Sequence, residues 1–133
     1  MRDAAKILFA NEVFYTAFAA ADYPAMQDVW AREHPVSVIH PGGPAIFGRD
    51  AVLASWAEIL NETDRFDIEC REPVAQVFGP AALVLCYERV GSHKLIATNA
   101  FVQEQDRWLM VHHQSGPSSI LPEATSQTDR PVH

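Results

Sequence analysis

This chain of 133 residues has no long apolar run, no basic cluster and only two cysteines. No stretch approaches the roughly 18 consecutive apolar residues that a membrane-spanning helix needs. The segment Lys6 to Ala10 looks only partly like a secretory leader, because Asp3 precedes it and Asn11 and Glu12 interrupt it. The chain therefore reads as cytoplasmic. A net charge of -7, with no basic run, argues against nucleic acid or an anionic membrane as the partner. Cys70 and Cys86 do not make a disulfide framework. With Gly79-Pro80 as a hairpin turn, Cys86 falls opposite roughly Pro73, so two free, half-buried thiols are the simpler reading. A phosphate-binding glycine loop, a Gly-x-Ser-x-Gly elbow and a dinucleotide fingerprint are also missing, and no cofactor is expected.

What is present is the balance of one globular domain, 48 % hydrophobic and 20 % charged. Ile7, Ala10, Phe14, Phe18 and Ala21 recur at spacings of three and four and predict a helix over residues 3–21. Asp22 reads as the N-cap of a short second helix reaching about Arg32, with Pro24 in its first turn. Val36 to His40 and Ala45 to Phe47 read as short strands around a Pro41-Gly42-Gly43-Pro44 turn, and a third helix runs to Leu60. From Arg65 to Ser115 the period changes to two. Turns at Gly79-Pro80, Gly91-Ser92-His93 and Gln105-Asp106 divide this region into four long antiparallel strands, with Pro73 at a bulge or bend. Residues 1–116 read as the domain and 117–133 as a flexible tail. This order is α+β: a curved antiparallel sheet must curl round three N-terminal helices to bury its apolar face, leaving a cone with a cavity inside.

The last strand ends in a histidine pair. Neighbouring side chains of a strand point to opposite faces, so one of His112 and His113 turns inward and the other outward. A three-residue loop at Gly91-Ser92-His93 and a two-residue loop at Gln105-Asp106 set Cys86, Thr98 and His113 in one row across adjacent strands. On that register the inner face holds Val84, Ile96, Ala100, Val102, Leu109 and Val111, and the outer face Asn99, Phe101, Trp108 and Met110. A one-residue slip exchanges the two sets. Cys86 and His113 then lie about 9–10 Å apart at Cα, too far for a nucleophile–base pair, while Thr98 can fix the His113 tautomer. His40 alternates with Val36 and Val38 and shares their inward face at a strand end held by Pro41. Each of the two histidines reads equally as a pocket residue or as a satisfied structural one. Tyr15, Trp30 and Trp56 read as core packing or as pocket walls. No set of three convergent ligands for a metal stands out.

The element order, with Gly48-Arg49-Asp50-Ala51-Val52-Leu53-Ala54-Ser55-Trp56 and Trp108-Leu109-Met110-Val111-His112-His113-Gln114-Ser115, resembles the nuclear transport factor 2-like superfamily and within it the SnoaL-like proteins. The resemblance implies a cone-shaped, cystatin-like α+β barrel with one deep pocket, and a homodimer through the outer sheet face. It admits enzymes (ketosteroid isomerase, polyketide cyclases, dehydratases, epoxide hydrolases) and non-catalytic association domains. In the isomerase, the residue before the proline of the turn after the first strand is the base, and here that residue is His40. Tyr15 lies near the matching part of the first helix, and no counterpart of the isomerase's acid stands out.

The expectation is a pocket for an apolar or aromatic small molecule, with cofactor-independent acid–base chemistry of the isomerase, cyclase or lyase kind. His40 would be the base and His113 the acid or hydrogen-bond donor. Tyr15, Trp30, Trp56, Cys86 and Thr98 would contact the substrate. The alternative is a non-catalytic homodimeric binding or association domain.

Overall fold

The computed structural model describes residues 3–124. Three helices come first: α1 (Asp3–Ala19), α2 (Tyr23–Val29) and, after a short strand pair, α3 (Arg49–Leu60). The strands are β1 (Ser37–Ile39), β2 (Ala45–Phe47), β3 (Ile68–Phe78), β4 (Ala81–Val90), β5 (His93–Glu104) and β6 (Arg107–Pro117). They form one six-stranded sheet in the order β2-β1-β6-β5-β4-β3. All neighbours are antiparallel except β1 and β6, which run parallel.

Local chemistry places these boundaries. Asp22 caps α2 by accepting the Ala25 N–H at 3.0 Å, with Pro24 in the first turn. Gly48 precedes α3 at φ 89° and ψ 146°, a conformation open essentially only to glycine. The next residue, Arg49, reaches back to the carbonyls of Gln27 (2.9 Å), Trp30 (2.7 Å) and Ala31 (3.1 Å). Its guanidinium thus satisfies carbonyls that the end of α2 leaves open. The Gly48-Arg49 pair therefore fixes the angle between α2 and α3.

One turn and one bulge follow expectation, and another turn does not. Gln105 and Asp106 both have positive φ, the signature of a two-residue type I′ loop, and Glu104 pairs with Arg107. Pro73 lies in a bulge between Arg71 and Val74, where Glu72 has φ 51°. The turn after β4 is one residue shorter than expected, because Val90 pairs with His93. Cys86 therefore faces Ala97 rather than Thr98. A second shift lies between β5 and β6: Phe101 pairs with Met110 but Ala100 with His112, so Val111 is the extra residue of a bulge.

The expected inner and outer sets of β5 are thereby exchanged. Leu95, Ala97, Asn99 and Phe101 are buried, while Ile96 is 45 % exposed on the other face. In the first half of β6, Trp108 and Met110 are buried, with Leu109 also covered. Beyond the bulge, His113 and Ser115 return to the inside, 2 % and 4 % exposed. The core lies between this inner face and the helices, around Phe14, Trp30, Trp56, Val84 and Phe101. At the C-terminus β6 runs through Pro117, past the expected domain limit at 116. Ser118 then donates its N–H to the Lys94 carbonyl (2.9 Å), and Arg71 holds the Pro122 carbonyl (2.8 Å). Residues 125–133 of the expected tail lie outside the described residues. Among the described residues no helix is long and apolar enough to cross a membrane.

Candidate functional site

A cavity of about 430 Å³ opens between the C-terminal part of α1, α3, the turn after β1 and the β4–β5 hairpin. Phe18, Trp56, Ile59, Val90 and Leu95 form its walls. His40, Glu88, His113 and Ser115 are the polar groups within it, and exposed His93 and Lys94 stand at its rim.

His40 follows β1 and opens a tight turn. Its carbonyl accepts the Gly43 N–H at 2.8 Å, with Pro41 next and Gly42 at φ 74°, the residue pattern of a type II turn. The ring stands edge-on to Trp56, with centroids 4.9 Å apart at 84°. Its Nε2 lies 2.9 Å from Ser55 Oγ. The Ser55 hydroxyl already gives its hydrogen to the Val52 carbonyl at 2.7 Å. Ser55 therefore accepts from His40 Nε2–H, and Nδ1 keeps its lone pair. Partial burial holds the imidazole below its ordinary pKa, so it is neutral at pH 7.

His113 lies deeper, brought beside Val38 by the parallel β1–β6 pairing. Its ring is enclosed by Phe14 (centroids 4.9 Å apart) and Trp56 (5.9 Å). Exclusion of water is the main reason its pKa falls to about 3, with His40 and His112 adding repulsion. Nδ1 lies 2.5 Å from Asn99 Oδ1. The amide group of Asn99 donates to Asn11 Oδ1 (2.8 Å) and Tyr15 Oη (3.2 Å), which turns its carbonyl toward the ring. His113 is thus the Nδ1–H tautomer, with the lone pair on Nε2. His112 points to the opposite face and pairs with Ser37 Oγ at 2.7 Å.

Glu88 is the third polar group, 2 % exposed. Ser115 donates to its Oε1 (2.6 Å) and Tyr15 to its Oε2 (2.5 Å). Burial pushes the carboxyl up, and these two hydrogen bonds oppose that rise. Tyr15 also lies 3.2 Å from Cys86 Sγ. Burial, with the charge of Glu88, pushes the Tyr15 phenol well up, so it stays a donor. Asn11 closes the network by donating to Cys70 Sγ at 3.6 Å. Both thiols are free.

The structure thus brings His40, His113 and Trp56 to one cavity, with Tyr15 and Cys86 in the hydrogen-bonded layer behind it. Trp30 is fully buried, bridged to Met110 and absent from the cavity lining, because the end of α2 carries it to the side where β6 begins. Thr98 faces the outside and pairs with Leu85 and Gln114, because the shorter turn after β4 shifts β5 by one residue. The partner expected of Thr98 is supplied by Asn99. The expected donor role of His113 also changes, since its N–H is committed to Asn99. Periodicity places Asn99 outside and gives Glu88 no role. The available signal was the alternation Ala82, Val84, Cys86, Glu88, which ends an apolar row in a carboxylate. Among the described residues no group of three His, Cys, Asp or Glu side chains converges as metal ligands.

A family model described as SnoaL-like domain matches residues 7–119. A solved structure from Streptomyces avermitilis, described as a putative dehydratase from the NTF2-like family, is 28 % identical with TM-score 0.81, over 89 % of this chain and 97 % of that one. A structure from Thiobacillus denitrificans, described as a putative calcium/calmodulin-dependent protein kinase type II association domain, is 31 % identical with TM-score 0.70, over 83 % of this chain and 93 % of that one. Among curated proteins, the F-box protein SKIP8 of Arabidopsis thaliana is 29 % identical over 111 residues, which are 82 % of this chain and 48 % of that protein. The chain spans about half the length of that relative.

Proposed function

The chain belongs to the SnoaL-like domain family and has the NTF2-like, cystatin-like fold, and on that premise we propose that it is a cofactor-independent lyase or isomerase acting through a single histidine base. The observation that carries this reading is the presence of His40, His113 and Glu88 in one open, mainly apolar cavity. His40 is the base: its Nδ1 is free, it is neutral at pH 7, and its pKa is lowered less drastically than that of His113. His113 is too weak a base to hold a proton and instead orients the substrate through Nε2. Glu88 fixes Ser115 and Tyr15.

The likeness to a putative dehydratase favours elimination of water. His40 takes a proton from an acidified C–H. As imidazolium it passes that proton to the departing β-hydroxyl, so a carbon–carbon double bond forms, the C–O bond breaks, water leaves and the ring returns to neutrality. The test is a panel of cyclic β-hydroxy ketones followed by NMR in wild type and His40→Gln. Loss of turnover by at least about a hundredfold in the variant is expected, the usual scale for a general base. Binding without turnover in wild type, or equal rates in both proteins, would refute the reading.

A second reading follows from the outer sheet face. Val74, Phe78, Leu85 and Ile96 are 58 %, 59 %, 39 % and 45 % exposed there, and the 31 %-identical relative is described as an association domain. A homodimer would bury this face. Sedimentation of wild type against Leu85→Lys/Ile96→Lys tests it: an unchanged mass in the two proteins removes this reading.

A further inference from the structure

The histidine and hydroxyl donors at the inner end of the cavity are committed within the protein. His40 gives its N–H to Ser55, and Ser55 gives its O–H to the Val52 carbonyl. His113 gives its N–H to Asn99. Ser115 and Tyr15 each give their O–H to Glu88. The Trp56 indole N–H is buried in the wall, without a partner and without surface in the cavity. What faces the interior is therefore a set of lone pairs, on His40 Nδ1, His113 Nε2 and the oxygens around Glu88. The remaining side-chain donors among the lining residues belong to exposed His93 and Lys94 at the rim, where Lys94 Nζ already gives one hydrogen to the Ser119 carbonyl (3.4 Å).

We infer that the ligand is an uncharged molecule with an apolar body that presents hydroxyl donors, and not an anion, to the floor of this cavity. This rests on the pocket reading above and narrows its substrate class. An anion placed there would meet lone pairs and the Glu88 carboxyl with no donor to receive it, in a medium where unpaired polar groups are costly. An ether of the same shape would leave the histidine lone pairs unsatisfied. A hydroxylated ring satisfies them. The Asn11–Asn99 amide pair is what enforces this choice. It holds the His113 tautomer, so Asn99 is a positioning residue for ligand selection.

The test uses 2,6-dihydroxynaphthalene, 2,6-dimethoxynaphthalene and 2,6-naphthalenedicarboxylate, titrated calorimetrically into the full-length protein at pH 7.5. The diol is expected to bind about tenfold more tightly than the ether, the scale of one or two neutral hydrogen bonds, and the dicarboxylate more weakly still. In histidine-labelled protein, the ¹⁵N signals of His40 Nδ1 and His113 Nε2 should move with the diol and not with the ether. Equal binding of diol and ether, or tightest binding of the dicarboxylate, would overturn the inference and leave the pocket reading standing. Failure of all three to bind would overturn both. His113→Leu gives a second arm: it removes the Nε2 lone pair and adds no polar group, and the diol preference should fall severalfold.

Discussion

Lowering the pH from 7 to 5 should destabilise the wild-type protein through His113, and the size of the effect follows from where the ring sits. An unfolded histidine titrates near 6.5, while enclosure by Phe14, Trp56 and the sheet depresses the folded value to about 3. Between these limits the unfolded state binds a proton that the folded state refuses. Stability from this residue is complete above pH 6.5 and is lost as pH falls toward 3. Integration from pH 7 to 5 gives a loss of about 2 kcal/mol, and to pH 4 about 3 kcal/mol. Other groups also titrate, His40 with the same sign, so the quantity to measure is a difference. Urea unfolding of wild type and His113→Gln, each at pH 7 and pH 5, isolates it. The wild-type midpoint should fall by about 1 M more than that of the variant. Equal falls in the two proteins would show that His113 is either solvated or protonated in the fold, and the buried neutral imidazole on which the site depends would be wrong.

Other perturbations probe separate parts of the same argument. Diol affinity should decline as pH falls through the lowered pKa of His40, because protonation removes the Nδ1 lone pair, and calorimetry across pH 7.5 to 5 reads this directly. Tyr15→Phe removes a hydroxyl that touches Glu88, Cys86 and Asn99, and should cost about 1–3 kcal/mol in urea unfolding. A smaller loss would mean that water replaces the hydroxyl. Gly48→Ala should cost about 1–3 kcal/mol from backbone strain alone, since an added Cβ would meet nothing within 4 Å. Arg49→Leu should cost about 2 kcal/mol by freeing three carbonyls at the end of α2, and an unchanged melting midpoint would remove Arg49 from that role.

The sequence by itself determined the element order and the α+β class, because these depend on periodicity and on local turn chemistry, and it carried the family resemblance in the motifs Gly48 to Trp56 and Trp108 to Ser115. Three- and four-residue spacing located α1 and α3, Asp22 and Pro24 located α2, and the Gln105-Asp106 turn carried its own register. It also brought His40 and His113 into view as inward residues. His40 follows because Val36 and Val38 are buried. His113 was placed inside by two deviations that cancel. The short turn after β4 moves β5 by one residue, and the bulge at Val111 moves β6 back by one. β5 and the start of β6, lying between the two shifts, were turned over, which is why Thr98 was expected where Asn99 stands and why Trp108 and Met110 are buried.

Tertiary structure alone decided those two shifts. A two-residue or three-residue loop fits Gly91-Ser92-His93 equally well by local chemistry, and no glycine or proline marks the bulge at Val111. It alone also decided the protonation pattern. The lone pair of His113 depends on Asn99, Asn11 and Tyr15, which approach it from 14 to more than 80 residues away in the chain. Periodicity shows which face a side chain occupies. Which hydrogen it keeps is set by partners that only the folded chain brings together.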